Sequence, residues 1–117
     1  AEGINEAKLF CYDMTLLTLR RGHSVEFLVH DSTLYGAIDP RQRLTMFRIA
    51  ERVCSQLNVQ YIATLNLHDI TSVREQSGGG SDDIDRLFGD QTIVLRLADD
   101  SPQSKLLGIQ VDMSYLD

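Results

Sequence analysis

An apolar run that ends abruptly in polar residues constrains this sequence more than any other feature. It is formed by Phe27, Leu28 and Val29, and it leads directly into His30, Asp31 and Ser32. Short apolar runs of this kind are typical of strands that are buried on both faces of a parallel sheet. Because ligands bind beyond the carboxyl ends of such strands, Asp31 is a candidate site residue. The alternative is that Asp31 only caps the following turn, since aspartate accepts backbone N–H groups well in that role.

A strand–helix–strand unit is predicted from the residues that follow. Asp39 and Pro40 form a helix start, with aspartate as the N-cap and proline at the first helical position, and the predicted helix runs to about Leu57. Its apolar residues form an inner stripe, and its charged residues, Arg43 among them, are predicted to face solvent. A second buried strand is predicted over residues 61–65, so we expect two parallel neighbours with a right-handed crossover.

The remaining elements complete a predicted α/β fold. A helix is expected to start near Gly3 and to end before Gly22, a natural residue for the position after a helix. The glycine- and serine-rich stretch over residues 76–82 predicts a flexible loop, and its composition leaves a natural and an engineered origin open. Residues 91–97 and 105–112 predict two strands of an antiparallel hairpin. The expected fold is a mostly parallel sheet flanked by helices, with a C-terminal antiparallel hairpin.

Composition excludes several classes of protein. The chain has 117 residues, of which 43% are hydrophobic and 24% charged, as in one ordinary globular domain spanning residues 1–117. No apolar run approaches the roughly 20 residues that cross a bilayer, and no signal peptide is visible. We therefore expect a cytoplasmic protein without membrane contact, in which Cys11 and Cys54 are buried free thiols. The net charge of −6 argues against nucleic-acid binding by this chain alone, and leaves DNA contact through other parts of an intact protein open.

The order of these elements is similar to the C-terminal half of an ATP-binding-cassette (ABC) ATPase head. It comprises a glycine-led helix, a strand that ends at Asp31, a loop to Asp39 before a helix, and a strand that ends in Asn-Leu-His-Asp. The nearest resemblance is to the heads of the SMC, double-strand-break-repair and RecN-like group of P-loop NTPases. The segments Phe27–Ser32 and Leu107–Asp112 resemble an uncharacterised bacterial branch of that group. The resemblance covers nearly the whole chain.

The resemblance implies a role for several residues. Asp31 matches the Walker B aspartate, which in the family holds the Mg²⁺ that bridges the ATP phosphates. Gly3 and Asn5 look like the remnant of the signature motif, whose helix N-terminus contacts the γ-phosphate of ATP bound to the opposite head. Asp39 falls where the D-loop aspartate lies, at the interface between two heads.

The resemblance also shows departures at two catalytic positions. Asn66 fills the place nearest to the family's switch histidine, and His68 lies two residues on. For His68 with Asp69, a role as a helix cap is equally consistent. Ser32 stands where the catalytic glutamate normally follows the Walker B aspartate, and a serine is no carboxylate base for water. Either His30, Asp39 or His68 substitutes, or ATP acts mainly as a dimerisation switch. The candidate catalytic residues are Asp31, Ser32 and His68.

The phosphate-binding motif Gly-x-x-x-x-Gly-Lys-Ser/Thr does not occur in this sequence. In the family it lies far upstream, before a long coiled coil, so we expect a fragment of a longer protein that is inactive alone. Its expected partners are the N-terminal Walker A lobe of the same protein and a second head in an ATP-dependent dimer. The resemblance implies ATP and Mg²⁺ as cofactors. It also implies a process in bacterial DNA maintenance or defence. The competing hypothesis is a non-catalytic α/β protein-interaction module, which requires neither a missing motif nor a substitute base.

Overall fold

The computed structural model describes residues 2–76 and 82–109 and confirms a mixed α/β chain. The elements in chain order are α1 (Glu2–Leu19), β1 (Phe27–His30), α2 (Thr33–Gly36), α3 (Pro40–Leu57), β2 (Gln60–Ala63), α4 (Leu67–Gln76), α5 (Asp82–Leu87) and a short 3₁₀ helix (Pro102–Ser104). Of the loop predicted over residues 76–82, only the two end residues are described. Its residues 77–81 lie outside the described residues.

The two strands form a parallel pair, as predicted. Phe27 lies opposite Gln60 and His30 lies opposite Ala63, with α3 as the connection between the strands. The described part of the chain contains this one sheet of two strands. The predicted strand–helix–strand unit is therefore confirmed, and the ends of both strands meet at one edge of the sheet.

The predicted start and end of α3 are confirmed by local hydrogen bonds. The Asp39 carboxylate accepts a hydrogen bond from the backbone N–H of Arg41 at 2.9 Å, and Pro40 occupies the first helical position. At the other end Asn58 adopts a left-handed conformation with φ of 54° and donates its backbone N–H to the carbonyl of Cys54. Asparagine tolerates this conformation better than most residues do, so it closes the helix at low cost.

The end of α1 differs from the prediction. The helix ends at Leu19, and Arg20 rather than Gly22 is the first residue in the left-handed region, with φ of 50°. His23 explains the earlier turn, because its Nε2 donates to the carbonyl of Leu16 at 2.9 Å while its Nδ1 accepts from the N–H of Val25 at 3.1 Å. His23 thus fastens the end of α1 to the chain that enters β1.

Two clusters of buried side chains form the core. The first lies between α1, α2 and α3 and one face of the sheet, and comprises Phe10, Met14, Leu34, Tyr35, Ile38, Met46 and Ala50. The second joins α3 to α4 and α5, and comprises Leu44, Val73, Ile84, Leu87 and Phe88. Phe47 contacts both, since its ring centroid lies 5.0 Å from that of Tyr35 and 5.2 Å from that of Phe88. The sheet is therefore packed from the helical side.

The prediction that both strands are buried on both faces was wrong for the described part of the chain. Phe27 is 55% exposed, Val29 is 51% exposed and Ile62 is 40% exposed. Leu28 and Tyr61 point the other way and pack against the first cluster. Successive side chains of a strand point to opposite faces, and helices cover only one face here. The sheet therefore presents an uncovered apolar face.

The predicted C-terminal hairpin was also wrong within residues 91–109. This stretch contains no strand, and a 3₁₀ helix at Pro102–Ser104 occupies the expected turn. Val94 and Leu107 are exposed, so the apolar residues that predicted these strands do not pack on the sheet. Residues 110–112 of the second predicted strand lie outside the described residues.

The cysteines were predicted correctly as free thiols, but not as buried ones. Cys11 is exposed on α1, and Cys54 is half-buried on α3, where burial raises the pKa of its thiol. Cys11 is exposed because it lies beside the core-facing stripe of α1 rather than within it. Among the helices in residues 2–76 and 82–109, none combines the length and apolar character needed to cross a membrane.

Candidate functional site

The Asp31 carboxylate projects from the end of β1 and is held there by hydroxyl groups. Its Oδ1 accepts a hydrogen bond from Thr64 Oγ1 at 2.7 Å, and its Oδ2 accepts one from Thr33 Oγ1 at 3.1 Å. These bonds, that of Thr64 foremost, together with the backbone N–H groups of Ser32 and Thr33, hold the pKa of Asp31 below its usual value. The side chain is exposed, so the site is an oriented, ionised carboxylate that faces solvent.

Thr64 also fixes the backbone of the neighbouring candidate residue. Its Oγ1 accepts a hydrogen bond from the N–H of Ser32 at 3.0 Å, so one hydroxyl contacts both Asp31 and Ser32. Sequence reasoning missed Thr64. The signal was present in the pairing of the strands, because Thr64 follows β2 at the same register at which Asp31 follows β1.

Gly3 and Asp39 come together at a groove of about 620 Å³ between the start of α1 and the α2–α3 connection. Its lining also includes Lys8, Ala37 and Gln42. A Cβ atom on Gly3 would lie 2.6 Å from the carbonyl oxygen of Ala37, so only glycine permits this close approach. The predicted signature and D-loop positions are therefore neighbours in the fold.

Asn5 and Asp39 differ in how they meet this groove. Asn5 is exposed on α1 and does not line it. Asp39 lines it while capping α3, and the N–H of Arg41 is the main cause that holds the pKa of the Asp39 carboxyl below its usual value. Oδ1 of Asp39 accepts from both Arg41 N and Arg41 Nε, and the backbone N–H of Gln42 also contributes to the lowered pKa. Asp39 therefore caps the helix at the edge of the groove.

The residues at the predicted switch lie at the N-terminus of α4. Asn66 precedes the helix, and its backbone N–H donates to Oδ2 of Asp69 at 3.3 Å. Asp69 thus supplies the cap that the sequence allowed for His68. His68 is exposed in the first turn of α4, two residues beyond Asn66. Asn66 itself follows Thr64 by two residues, which places the switch segment beside the edge of the sheet that carries Asp31.

A buried arginine ties the segments of the site together, contrary to the prediction that Arg43 faces solvent. Arg43 is 4% exposed, and its guanidinium lies 3.3 Å from the carboxylate of Asp69. It donates to the Asp69 carbonyl at 2.9 Å and to Ser72 Oγ at 3.0 Å on α4. It also donates to the carbonyls of Tyr35 at 2.9 Å and Ile38 at 3.1 Å, just before α3. Arg43 therefore joins the α2–α3 connection to α4.

His30 is buried and bonded to side chains at both ring nitrogens, rather than to backbone. Nε2 lies 2.8 Å from Asp13 Oδ2 and Nδ1 lies 2.8 Å from the Tyr61 hydroxyl, which is in turn bonded to the Tyr35 hydroxyl. Burial raises the pKa of Tyr35 to about 12 and also raises that of Tyr61, so both hydroxyls stay protonated at neutral pH. These contacts argue against His30 as a base that acts on water at the exposed Asp31.

The described residues include no cluster of three or more His, Cys, Asp or Glu side chains that could hold a metal ion. Asp31 is a single hard oxygen ligand with hydroxyl groups beside it. Mg²⁺ commonly binds proteins through one or two carboxylates and takes its other ligands from water and phosphate. The residues present fit that kind of site, with Asp31 as the protein ligand.

The fold and the site define a small α/β domain with an ionised carboxylate at the carboxyl ends of two parallel strands. Residues 1–111 match the model of a family described as an uncharacterised protein conserved in bacteria (DUF2326), and the chain belongs to this family. Neither a curated protein nor a solved structure matches the chain.

Proposed function

We propose that this chain is the C-terminal lobe of a bacterial, cytoplasmic ATP-binding head of the SMC- and RecN-like ABC class. The observation that carries the proposal is the exposed, ionised Asp31 at the carboxyl end of a parallel strand. Ligands of open α/β sheets bind at this edge, and a carboxylate there is the usual protein ligand of nucleotide-bound Mg²⁺. The intact head would bind ATP and Mg²⁺, with Asp31 as the metal ligand.

The groove between Gly3 and Asp39 supports contact with a second head. The first turn of α1 offers backbone N–H groups, which favour a phosphate because of their orientation and the helix dipole. Asp39, which caps α3, also lines this groove. The proposal places the ATP of a second head against this groove, with Asn66 and His68 near the phosphates of the ATP bound beside Asp31.

The uncovered face of the sheet supports the proposal that a second lobe packs on this chain in the intact protein. Phe27, Val29 and Ile62 expose large apolar side chains, and each strand has one unpaired edge within the described residues. Parallel sheets are normally covered on both faces, because exposed apolar strands and open edges promote aggregation. We propose that the N-terminal Walker A lobe of the same protein covers this face and completes the phosphate site.

The serine at position 32 supports the proposal that the intact head binds ATP but hydrolyses it slowly. Its backbone N–H is bonded to Thr64, and its side chain has no carboxylate with which to activate water. The proposed role is ATP-dependent closure of two heads that moves an attached coiled coil. Bacterial DNA maintenance or defence, with DNA contact through other parts of the intact protein, is the process that the resemblance suggests.

Calorimetric titration of the full-length protein with ATP tests the metal role of Asp31. The expected result is Mg²⁺-dependent binding that the Asp31→Asn variant weakens about tenfold or more, a loss of at least about 1.4 kcal/mol. Asp90→Asn is the matched control, because Asp90 is exposed and, within the described residues, forms its ion pair with Arg96. Equal affinity of Asp31→Asn and wild type for ATP in Mg²⁺ would contradict the proposal.

The uncovered apolar surface also favours the second candidate, a non-catalytic interaction module. On that account Phe27 and Val29 contact another protein, and Asp31 is a cap bonded to Thr33 and Thr64. A folded full-length protein that binds no ATP, with or without Mg²⁺, would favour the module over the ATPase head.

A further inference from the structure

The helix α1 carries two apolar stripes, of which only one is used by the fold. The inner stripe packs towards the core and comprises Ala7, Phe10, Met14 and Leu17. The outer stripe is between 43% and 62% exposed and comprises Leu9, Tyr12, Leu16 and Leu19. Four large apolar side chains in one line exceed the scattered exposure that is normal for a protein surface.

The outer stripe has the spacing of a coiled-coil seam. Its residues follow one another at intervals of three, four and three positions, which places Leu9 and Leu16 at a positions and Tyr12 and Leu19 at d positions. Asn5 is exposed and continues the line at the preceding d position. A seam of this kind accepts the knobs of another helix rather than a strand or a loop.

We propose that the outer stripe pairs with α1 of a second copy of this chain, in a parallel two-stranded arrangement. The charges beside the stripe are self-complementary. Lys8 occupies a g position, is exposed, and forms no ion pair within the described residues. Asp13 occupies the following e position, and only its Oδ2 is bonded to His30. A parallel pair brings Lys8 next to Asp13 of the partner subunit, and the two-fold axis creates this contact twice.

The alternative orientation is less favourable for the same residues. In an antiparallel pair e positions face e positions, so Asp13 would approach Asp13 of the partner subunit and the like charges would repel. The charge pattern therefore favours the parallel orientation and a second copy as the occupant.

This contact goes beyond the proposed function because it requires no nucleotide. The outer stripe lies on the side of α1 opposite to Gly3, which lies with the inner stripe and lines the groove towards Asp39, while Lys8 lies between the two and borders both the groove and the stripe. In two copies joined through α1, the edge of each sheet that carries Asp31 would lie outside the seam. The pairing would thus tether two chains before ATP brings the heads together.

Sedimentation equilibrium of the chain without nucleotide tests the pairing. The wild type is expected to dimerise, and Leu16→Glu to weaken the dimer at least about tenfold, because it places a charge in the seam. Leu16 is already 43% exposed, so the variant should keep the wild-type circular dichroism spectrum. Val94→Glu is the control, since Val94 is 93% exposed outside α1. A wild type that stays monomeric up to several hundred micromolar, or a Val94→Glu effect equal to that of Leu16→Glu, would overturn the proposal.

Disulfide trapping tests the orientation and the occupant together. In a background of Cys11→Ser and Cys54→Ala, a Tyr12→Cys variant places one thiol at a d position, where the two copies of a parallel pair meet. Mild oxidation should link most Tyr12→Cys chains into dimers and leave the flanking Thr15→Cys variant mainly unlinked. Equal linking of the two variants, or linking of Thr15→Cys alone, would contradict a parallel seam through the outer stripe.

Discussion

At the scale of single residues, short polar contacts decide what the strand ends can do. Asp31 is ionised and oriented because Thr64, Thr33 and the N–H of Ser32 surround it with donors. The position of Asp31 was predictable from the sequence, because a short apolar run predicts a strand and Asp31 follows that run at its carboxyl end. Thr64 was not singled out, because its contact with Asp31 depends on how two distant segments pair.

Removal of the Thr64 hydroxyl should raise the pKa of Asp31. Thr64→Val keeps the shape of the side chain and deletes the largest cause of the lowered pKa, so the titration midpoint should move up towards the usual aspartate value. Carbon-detected NMR titration of the Asp31 carboxyl measures this shift. Thr18→Val, which removes a hydroxyl bonded only to the Met14 carbonyl, should leave the midpoint unchanged. An unchanged midpoint in Thr64→Val would show that the hydroxyl does not set the charge.

The sign of the pH dependence follows from the same contacts. The pKa of Asp31 is lower in the folded chain than in the unfolded chain, so ionised Asp31 stabilises the fold above its unfolded-state pKa. That contribution is lost as the pH falls through the folded-state pKa. Below the usual aspartate pKa, the unfolding free energy of the wild type should fall as the pH falls. In the Thr64→Val variant this fall should be smaller.

The Arg43–Asp69 contact is a buried ion pair, and its loss should destabilise the fold. Arg43→Met leaves a buried carboxylate and the carbonyls of Tyr35 and Ile38 without their donor, so we expect a loss of about 3–5 kcal/mol in unfolding free energy. Urea denaturation measures it. Arg52→Met on the same helix removes an exposed arginine and should change the value by less than about 0.5 kcal/mol. Similar losses in the two variants would show that burial of Arg43 is unimportant.

At the scale of elements, the sequence predicted what is controlled locally and failed where distant segments decide. Asp39, Pro40 and Asn58 set the ends of α3 through contacts within a few residues, so these ends were predictable. Arg43 was assigned to the solvated side because arginine on a helix usually lies there. Its partner Asp69 lies 26 residues further along the chain, and no local pattern joins them.

The expected hairpin shows a second way in which local patterns fail. Residues 91–97 have the alternation of a strand, but a strand forms only where another strand or an apolar surface receives it. Residues 91–109 pair with neither β1 nor β2, and this stretch remains without regular structure apart from the 3₁₀ helix. The same reason explains Phe27 and Val29, which are patterned for burial on a face that stays uncovered.

The close contact of α1 with the α2–α3 connection depends on Gly3. Gly3→Ala would place a methyl group 2.6 Å from the Ala37 carbonyl oxygen and should cost about 1–3 kcal/mol as the two segments move apart. Gly36→Ala is the matched control, because no atom lies within 4 Å of its added Cβ, and it should be neutral or stabilise by up to about 1 kcal/mol. Thermal denaturation of both variants gives the comparison. Equal stability of the two would contradict the contact.

At the scale of the whole molecule, the chain combines a packed helical side with an uncovered apolar sheet face. Two core clusters stabilise the helical side, while Phe27, Val29 and Ile62 remain in contact with solvent. The candidate nucleotide edge, the groove at Gly3 and the outer stripe of α1 therefore lie on a body whose sheet is incomplete. On the proposed account the chain alone should not turn over ATP, since the phosphate-binding motif is absent from its sequence.

The central claim, a head lobe that closes on a second head through ATP, is tested most directly by light scattering. The sample is the full-length protein with Leu16→Glu, which removes the nucleotide-independent contact through α1. We expect a dimer in ATP and Mg²⁺, a monomer without them, and a monomer in both conditions once Asp31→Asn is added. A folded protein whose mass does not respond to ATP, or whose response survives Asp31→Asn, would contradict the account.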